Sequence, residues 1–111
     1  MGDGASLDEL TKLVIAFRDA RDWKQFHTPK DVAISLALEA AEIMELVQWK
    51  SGAPDQARLA EELSDVLYWV LLMAHDAKIN LSAAFLKKIV QNQAKYPLEK
   101  AKGSAKKYSE L

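Results

Sequence analysis

Two pairs of acids hold most of the chemistry this chain can offer: Glu39-Ala-Ala-Glu42 and Glu62-Leu-Ser-Asp65. Both are spaced i, i+3 within stretches of helical periodicity. On a helix such side chains are neighbours, roughly 5–6 Å apart at Cβ. Two helices packed side by side would bring all four carboxylates to one place. Ionised carboxylates repel one another and are costly to bury. A hard divalent cation relieves both costs. An all-oxygen donor set favours Mg²⁺ or Mn²⁺ over zinc. The pairs therefore point to metal-dependent chemistry on phosphates, with Glu39, Glu42, Glu62 and Asp65 as the metal ligands.

The surroundings of these acids are informative. At about 100° per residue, Glu39 and Glu42 share their side of the helix with Leu38, Ile43, Leu46 and Trp49. Glu62 and Asp65 share theirs with Val66, Trp69, Leu72 and Met73. Solvated acids normally segregate from such neighbours. Ordinary surface charge is thus the weaker reading. Salt bridging to Arg58 or Lys88 is weaker still, because one or two cations cannot balance four acids. A di-iron carboxylate bundle needs Glu-x-x-His on each of two helices. Here Lys24 precedes His27 at i−3 and Leu72 precedes His75, so neither pair exists. The chain has no P-loop, and no Ser-His-Asp or Cys-His arrangement stands out.

Positioning the acids requires long helices, and the sequence supplies their punctuation. The capping box Ser6-x-x-Glu9 opens a first helix of about Leu7–Arg21, with Leu7, Leu10, Val14 and Phe17 as its apolar stripe. The linker Asp22–Thr28 carries Trp23, Phe26 and His27, a composition suited to packing down or to touching a ligand. Thr28 caps a second helix with Pro29 at its first position. That helix is expected to run to about Lys50 and stop at Ser51-Gly52, with Gly52 in the left-handed conformation. Pro54 introduces a third helix of about Asp55–Lys78. Asn80 and Ser82 fit a turn and the cap of a fourth, about Ser82–Tyr96, which Pro97 ends. The lysine-rich tail, 98–111, suits a short helix, a partner-binding arm or a disordered end.

The predicted fold class is all-α: a four-helix antiparallel bundle forming a single domain over 1–111. The second and third helices are apolar nearly all round, as buried helices are. In a chain of 111 residues they would leave apolar surface uncovered, so a homodimer or homotetramer is expected. With 15 basic and 16 acidic residues the net charge is −1, which gives no general attraction to nucleic acid or anionic membrane. The absence of cysteine excludes disulfides and thiolate zinc sites. No apolar run approaches the ~18 residues of a membrane span, and no leader pattern opens the chain. These features together suggest a soluble cytoplasmic protein.

At the acid pairs and their flanks the chain resembles the MazG-like all-α nucleoside triphosphate pyrophosphohydrolases. Two acids at i, i+3, a spacer and then Glu-x-x-Asp form that family's motif. The segment Phe17-Arg-Asp-Ala-Arg-Asp-Trp23-Lys-Gln-Phe26-His27-Thr-Pro29 is similar to the dCTP pyrophosphatase branch. So are Leu46-Val-Gln-Trp49-Lys50, Lys88, Asn92, Lys95-Tyr96-Pro97 and the tail from Glu99 to Tyr108. The resemblance spans nearly the whole chain. It implies Mg²⁺-dependent cleavage of nucleoside triphosphates between the α and β phosphates, with dCTP or its modified forms favoured.

Several residue roles come with the resemblance. Glu39 or Glu42 would activate the attacking water. Lys88, Lys95 and Tyr96 would meet phosphates, and Asn92 would meet a base edge or sugar. Trp23, Trp49 and Trp69 would line an aromatic base pocket, with His27 adding a polar contact. In one departure, Leu38 stands where many members carry a further Glu. The identity of the base is therefore open, and Glu45, one turn beyond Glu42, is a further contributor. A related enzyme class is phosphoribosyl-ATP pyrophosphohydrolase, against which the aromatic linker speaks. A non-catalytic helical module binding an acidic partner through its lysine-rich tail is the reading from another class.

Overall fold

Each long helix starts on a side-chain cap. The computed structural model describes residues 4–111, with no strand among them. In α1 (Leu7–Ala20) the Ser6 hydroxyl accepts from the Glu9 N–H at 3.1 Å, and Glu9 Oε1 accepts from the Ser6 N–H at 3.2 Å. In α2 (Pro29–Val47) Thr28 Oγ1 accepts from the Asp31 N–H at 3.2 Å. In α3 (Gln56–Asp76) Asp55 caps the Arg58 N–H, and in α4 (Leu81–Lys95) Asn80 caps the Ala83 N–H, both at 3.1 Å. These bonds satisfy donors that a helix start otherwise leaves open. The cap of α4 is thus Asn80, not Ser82. The aromatic linker forms one turn of 3₁₀ helix, Lys24–Phe26. The tail forms a short α5 (Leu98–Ala101) and a 3₁₀ turn, Tyr108–Glu110.

The end of α2 departs from the sequence expectation. The helix stops at Val47, three residues before Lys50, because Gln48 is extended and Trp49 takes the left-handed conformation at φ +63°. Gly52 also has positive φ (+89°), but it lies in the following loop and is not the helix stop. A bulky residue in that region is uncommon and strained.

The chain divides into two compact units, one ending at Ile79 and the other beginning at Asn80. In the first, α3 packs against both α2 and α1. Its core is small: Val32 and Leu46 from α2, with Leu71, Leu72 and Ala74 from α3. Arg18 of α1 is buried among them at 1% exposure. The nearly all-apolar surfaces of α2 and α3 exceed what this core covers. Leu38 is 63% exposed and Met44 69%, and Val47 and Leu63 are open as well. In the second unit the Tyr108 ring meets Tyr96 edge-on at 6.3 Å and lies 5.1 Å from Lys95 Nζ. No helix among the described residues is long and apolar enough to cross a membrane.

Candidate metal centre

The α2–α3 pairing brings three of the four predicted acids together. Glu39 comes from α2, and Glu62 and Asp65 come from successive turns of α3. One carboxylate oxygen from each lies within 4.8 Å of the other two. Glu39 and Glu62 are half-buried, and Asp65 is exposed. Glu62 Oε2 is buried with no hydrogen-bond partner. Among the described residues no cation lies within salt-bridge distance of these acids, the ion pairs there being made by Arg18. Burial, then the negative charges of Asp65 and Glu62, hold the Glu39 carboxyl above its ordinary value. Crowded oxygens, an unpaired buried carboxylate oxygen and no local counter-charge match what a hard divalent cation needs.

Glu42 sits one turn further along α2 and lies outside this trio. It is exposed, and its carboxyl is raised chiefly by a hydrogen bond shared with Glu45 and by that residue's charge. Glu45 is therefore the nearer partner of Glu42.

The aromatic residues form a chain of edge-on contacts beside the acids. Trp23 meets Phe17 at 5.7 Å between ring centroids, Phe17 meets Tyr68 at 6.2 Å, and Tyr68 meets Trp69 at 5.0 Å. Trp69 meets His27 at 5.3 Å and follows Asp65 by one turn of α3. His27 lines a cavity of 280 Å³ with Pro29, Val32, Met73 and Asp76. Its Nδ1 is buried without a partner. Burial first, and then the positive Arg18, lower its pKa and keep the ring neutral. Trp49 stands apart from this chain, 94% exposed in its left-handed turn.

The sequence pattern of the MazG-like family matches residues 34–111. This chain belongs to the MazG-like family. The match takes in all four acids and begins inside α2, so it omits α1 and the aromatic linker. Full-length relatives cover those parts too. Human dCTP pyrophosphatase 1 is 37% identical over 115 residues, spanning 96% of this chain and 68% of the relative. The rat dCTP pyrophosphatase 1 is 36% identical over the same shares. Among solved structures, a pyrophosphatase from Archaeoglobus fulgidus DSM 4304 superposes with a TM-score of 0.77 at 32% identity. That likeness covers 87% of this chain and 97% of the archaeal one.

Within this MazG-like chain the remaining predicted contacts lie in the second unit. Lys88, Asn92 and Lys95 are on α4, and Tyr96 follows it. Asn92 is half-buried, and its carbonyl accepts the Tyr96 N–H at 2.8 Å. Two features went unseen in the sequence. The Arg18–Asp76 ion pair links residues 58 positions apart, and no local pattern announces it. Tyr68, whose hydroxyl is buried and unpaired, reads in sequence as one more apolar-face aromatic.

Proposed function

We propose that this chain is a metal-dependent nucleoside triphosphate pyrophosphohydrolase of the nucleotide pool. It would act on deoxynucleoside triphosphates, with dCTP or modified dCTP favoured, and release a monophosphate and pyrophosphate. The observation that carries this reading is the Glu39–Glu62–Asp65 cluster with its buried, unpaired Glu62 oxygen. The substrate class rests on the likeness to dCTP pyrophosphatase 1.

In this reading Glu39, Glu62 and Asp65 hold Mg²⁺, for which Mn²⁺ can substitute. When bound, the cation offsets the charge of the triphosphate and makes water a better nucleophile. Glu39 or Glu42 takes the proton of the attacking water, both carboxyls being raised above the ordinary value, Glu39 by burial and Glu42 by Glu45. Trp23 offers a ring face to the base with His27 and Trp69 beside it, while Trp49, beyond the opposite end of α2, offers a separate exposed ring. Stacking of this kind is worth ~1–3 kcal/mol and is tolerant of base identity. Selectivity therefore falls to polar groups such as His27 and Asn92. Lys88, Lys95 and Tyr96 supply phosphate contacts.

The working form is a homodimer or homotetramer. The exposed Leu38, Met44, Val47 and Leu63 of α2 and α3 support this, since so much uncovered apolar surface on a small chain calls for a partner. The proposed compartment is the cytoplasm, which the lack of cysteine and the small net charge of −1 support.

The decisive experiment incubates the protein with Mg²⁺ and a panel of ordinary and modified nucleoside triphosphates, then identifies the products. Monophosphate with pyrophosphate is the expected outcome. Diphosphate with orthophosphate, or no turnover of any nucleotide, refutes the proposal.

A further inference from the structure

One buried charge in the first unit has no place in the chemistry above. Arg18 is 1% exposed, and its guanidinium donates to both carboxylate oxygens of Asp76, from Nη1 at 2.7 Å and from Nη2 at 3.0 Å. This planar, two-point contact fixes the angle between α1 and the end of α3 in a way a point charge cannot. The pair is only partly buried, Asp76 keeping 28% of its side chain exposed, and such a pair contributes little net stability. Orientation is what such a pair provides best.

The same residue also starts the aromatic linker. The Arg18 carbonyl accepts the N–H groups of Arg21 and Trp23, both at 3.2 Å, closing the turn from which Trp23 departs. At the far end of the linker, His27 leans on Trp69 and shares its cavity with Asp76. Thus Arg18 meets the linker through its backbone, while its side chain holds the acid that borders His27. Arg18 Nε, which makes no hydrogen bond and lies 3.9 Å from Asp19 Oδ1, and the Tyr68 hydroxyl, buried without a hydrogen bond, lie in the same region.

We infer that Arg18 and Asp76 are positioning residues for substrate binding: their two-point pair holds the Trp23–His27 linker in register with Trp69 and the acids of α3. This rests on the proposed function only in taking Trp23 and His27 as substrate contacts. Neither member of the pair touches the acid cluster, so the pair governs how well nucleotide binds and leaves the chemical step alone.

The test compares Asp76→Asn with the apolar double variant Arg18→Met/Asp76→Leu. The single variant lowers the melting temperature and raises KM on the order of tenfold, with kcat nearly unchanged. The double variant recovers the melting temperature, because no buried Arg18 charge is left without its partner, yet KM stays raised. The charge-reversed pair Arg18→Asp/Asp76→Arg brings KM part of the way back. A KM that returns to the parent value together with the melting temperature in the apolar double variant overturns the inference, as does a fall in kcat alone. Absence of turnover in the parent protein would strike the proposed function instead. The imidazole NMR signals of His27 then decide the inference: shifted in the apolar double variant, it stands, and unshifted, it falls.

Discussion

At the scale of single residues, the acid cluster sets like charges close together, a cost that the proposed cation would relieve. Glu39 is held above its ordinary carboxyl value by burial and by its two acidic neighbours, so its ionised form strains the metal-free protein. Glu39→Gln is therefore expected to raise the melting temperature in chelator and to abolish the further rise that Mg²⁺ gives the parent. Calorimetry with and without Mg²⁺ checks both, and turnover should disappear. Trp49 bears a cost as well. Its left-handed backbone costs about 1–2 kcal/mol for a non-glycine residue. Trp49→Asn, which tolerates that conformation, should gain about 1 kcal/mol in urea denaturation while KM for the nucleotide rises. The acids were legible in the sequence because i, i+3 spacing is a local rule. The turn of Glu42 toward Glu45 was not, because it depends on which way two neighbouring exposed side chains swing.

At the scale of elements, local punctuation decided most of what the sequence revealed. Ser6, Thr28 and Asn80 all stand where capping chemistry places them, and each hydrogen bond is made. The exception was the end of α2, where Gly52 was the natural stop and Trp49 adopts the left-handed turn instead. Propensity favours glycine there, so Trp49 is held by more than local preference. A strained, solvent-facing aromatic is a recurrent mark of a binding surface. Thr28→Ala removes the cap of the helix that carries Glu39. It should cost about 1 kcal/mol and leave kcat unchanged, since Glu39 lies about three turns further on. Denaturant midpoints and steady-state kinetics on one preparation measure both. The Arg18–Asp76 clamp was out of reach of any such reading, because it joins two elements whose proximity only the packed unit reveals.

At the scale of the whole molecule, charge and apolar surface set the remaining expectations. The Asp76 carboxyl is lowered by its hydrogen bond from Arg18, so its contribution to stability is present above its ordinary value of 3.8 and is lost as pH falls through the lowered value. His27 is lowered from 6.5 mainly by burial, so the unfolded chain binds a proton first and stability falls as pH drops below 6.5. Urea midpoints measured from neutral to strongly acidic pH should therefore decline in two stages, and Asp76→Asn should flatten the lower one and deepen the upper, since the Asp76 charge partly offsets the lowering of His27. If the proposed assembly uses the exposed apolar residues of α2, Leu38→Glu combined with Met44→Glu should yield monomers by sedimentation. The excess of apolar surface was legible from composition and period, but the number of copies in the proposed assembly was not. The graded exposure of the three tryptophans has an optical consequence. Trp49 is bare, Trp23 is partly covered and Trp69 is half-buried against His27. Their emission should separate under a soluble quencher such as iodide, with Trp49 dimmed first. A nucleotide stacked on Trp49 would shield it, so the protein carries its own fluorescent gauge of occupancy.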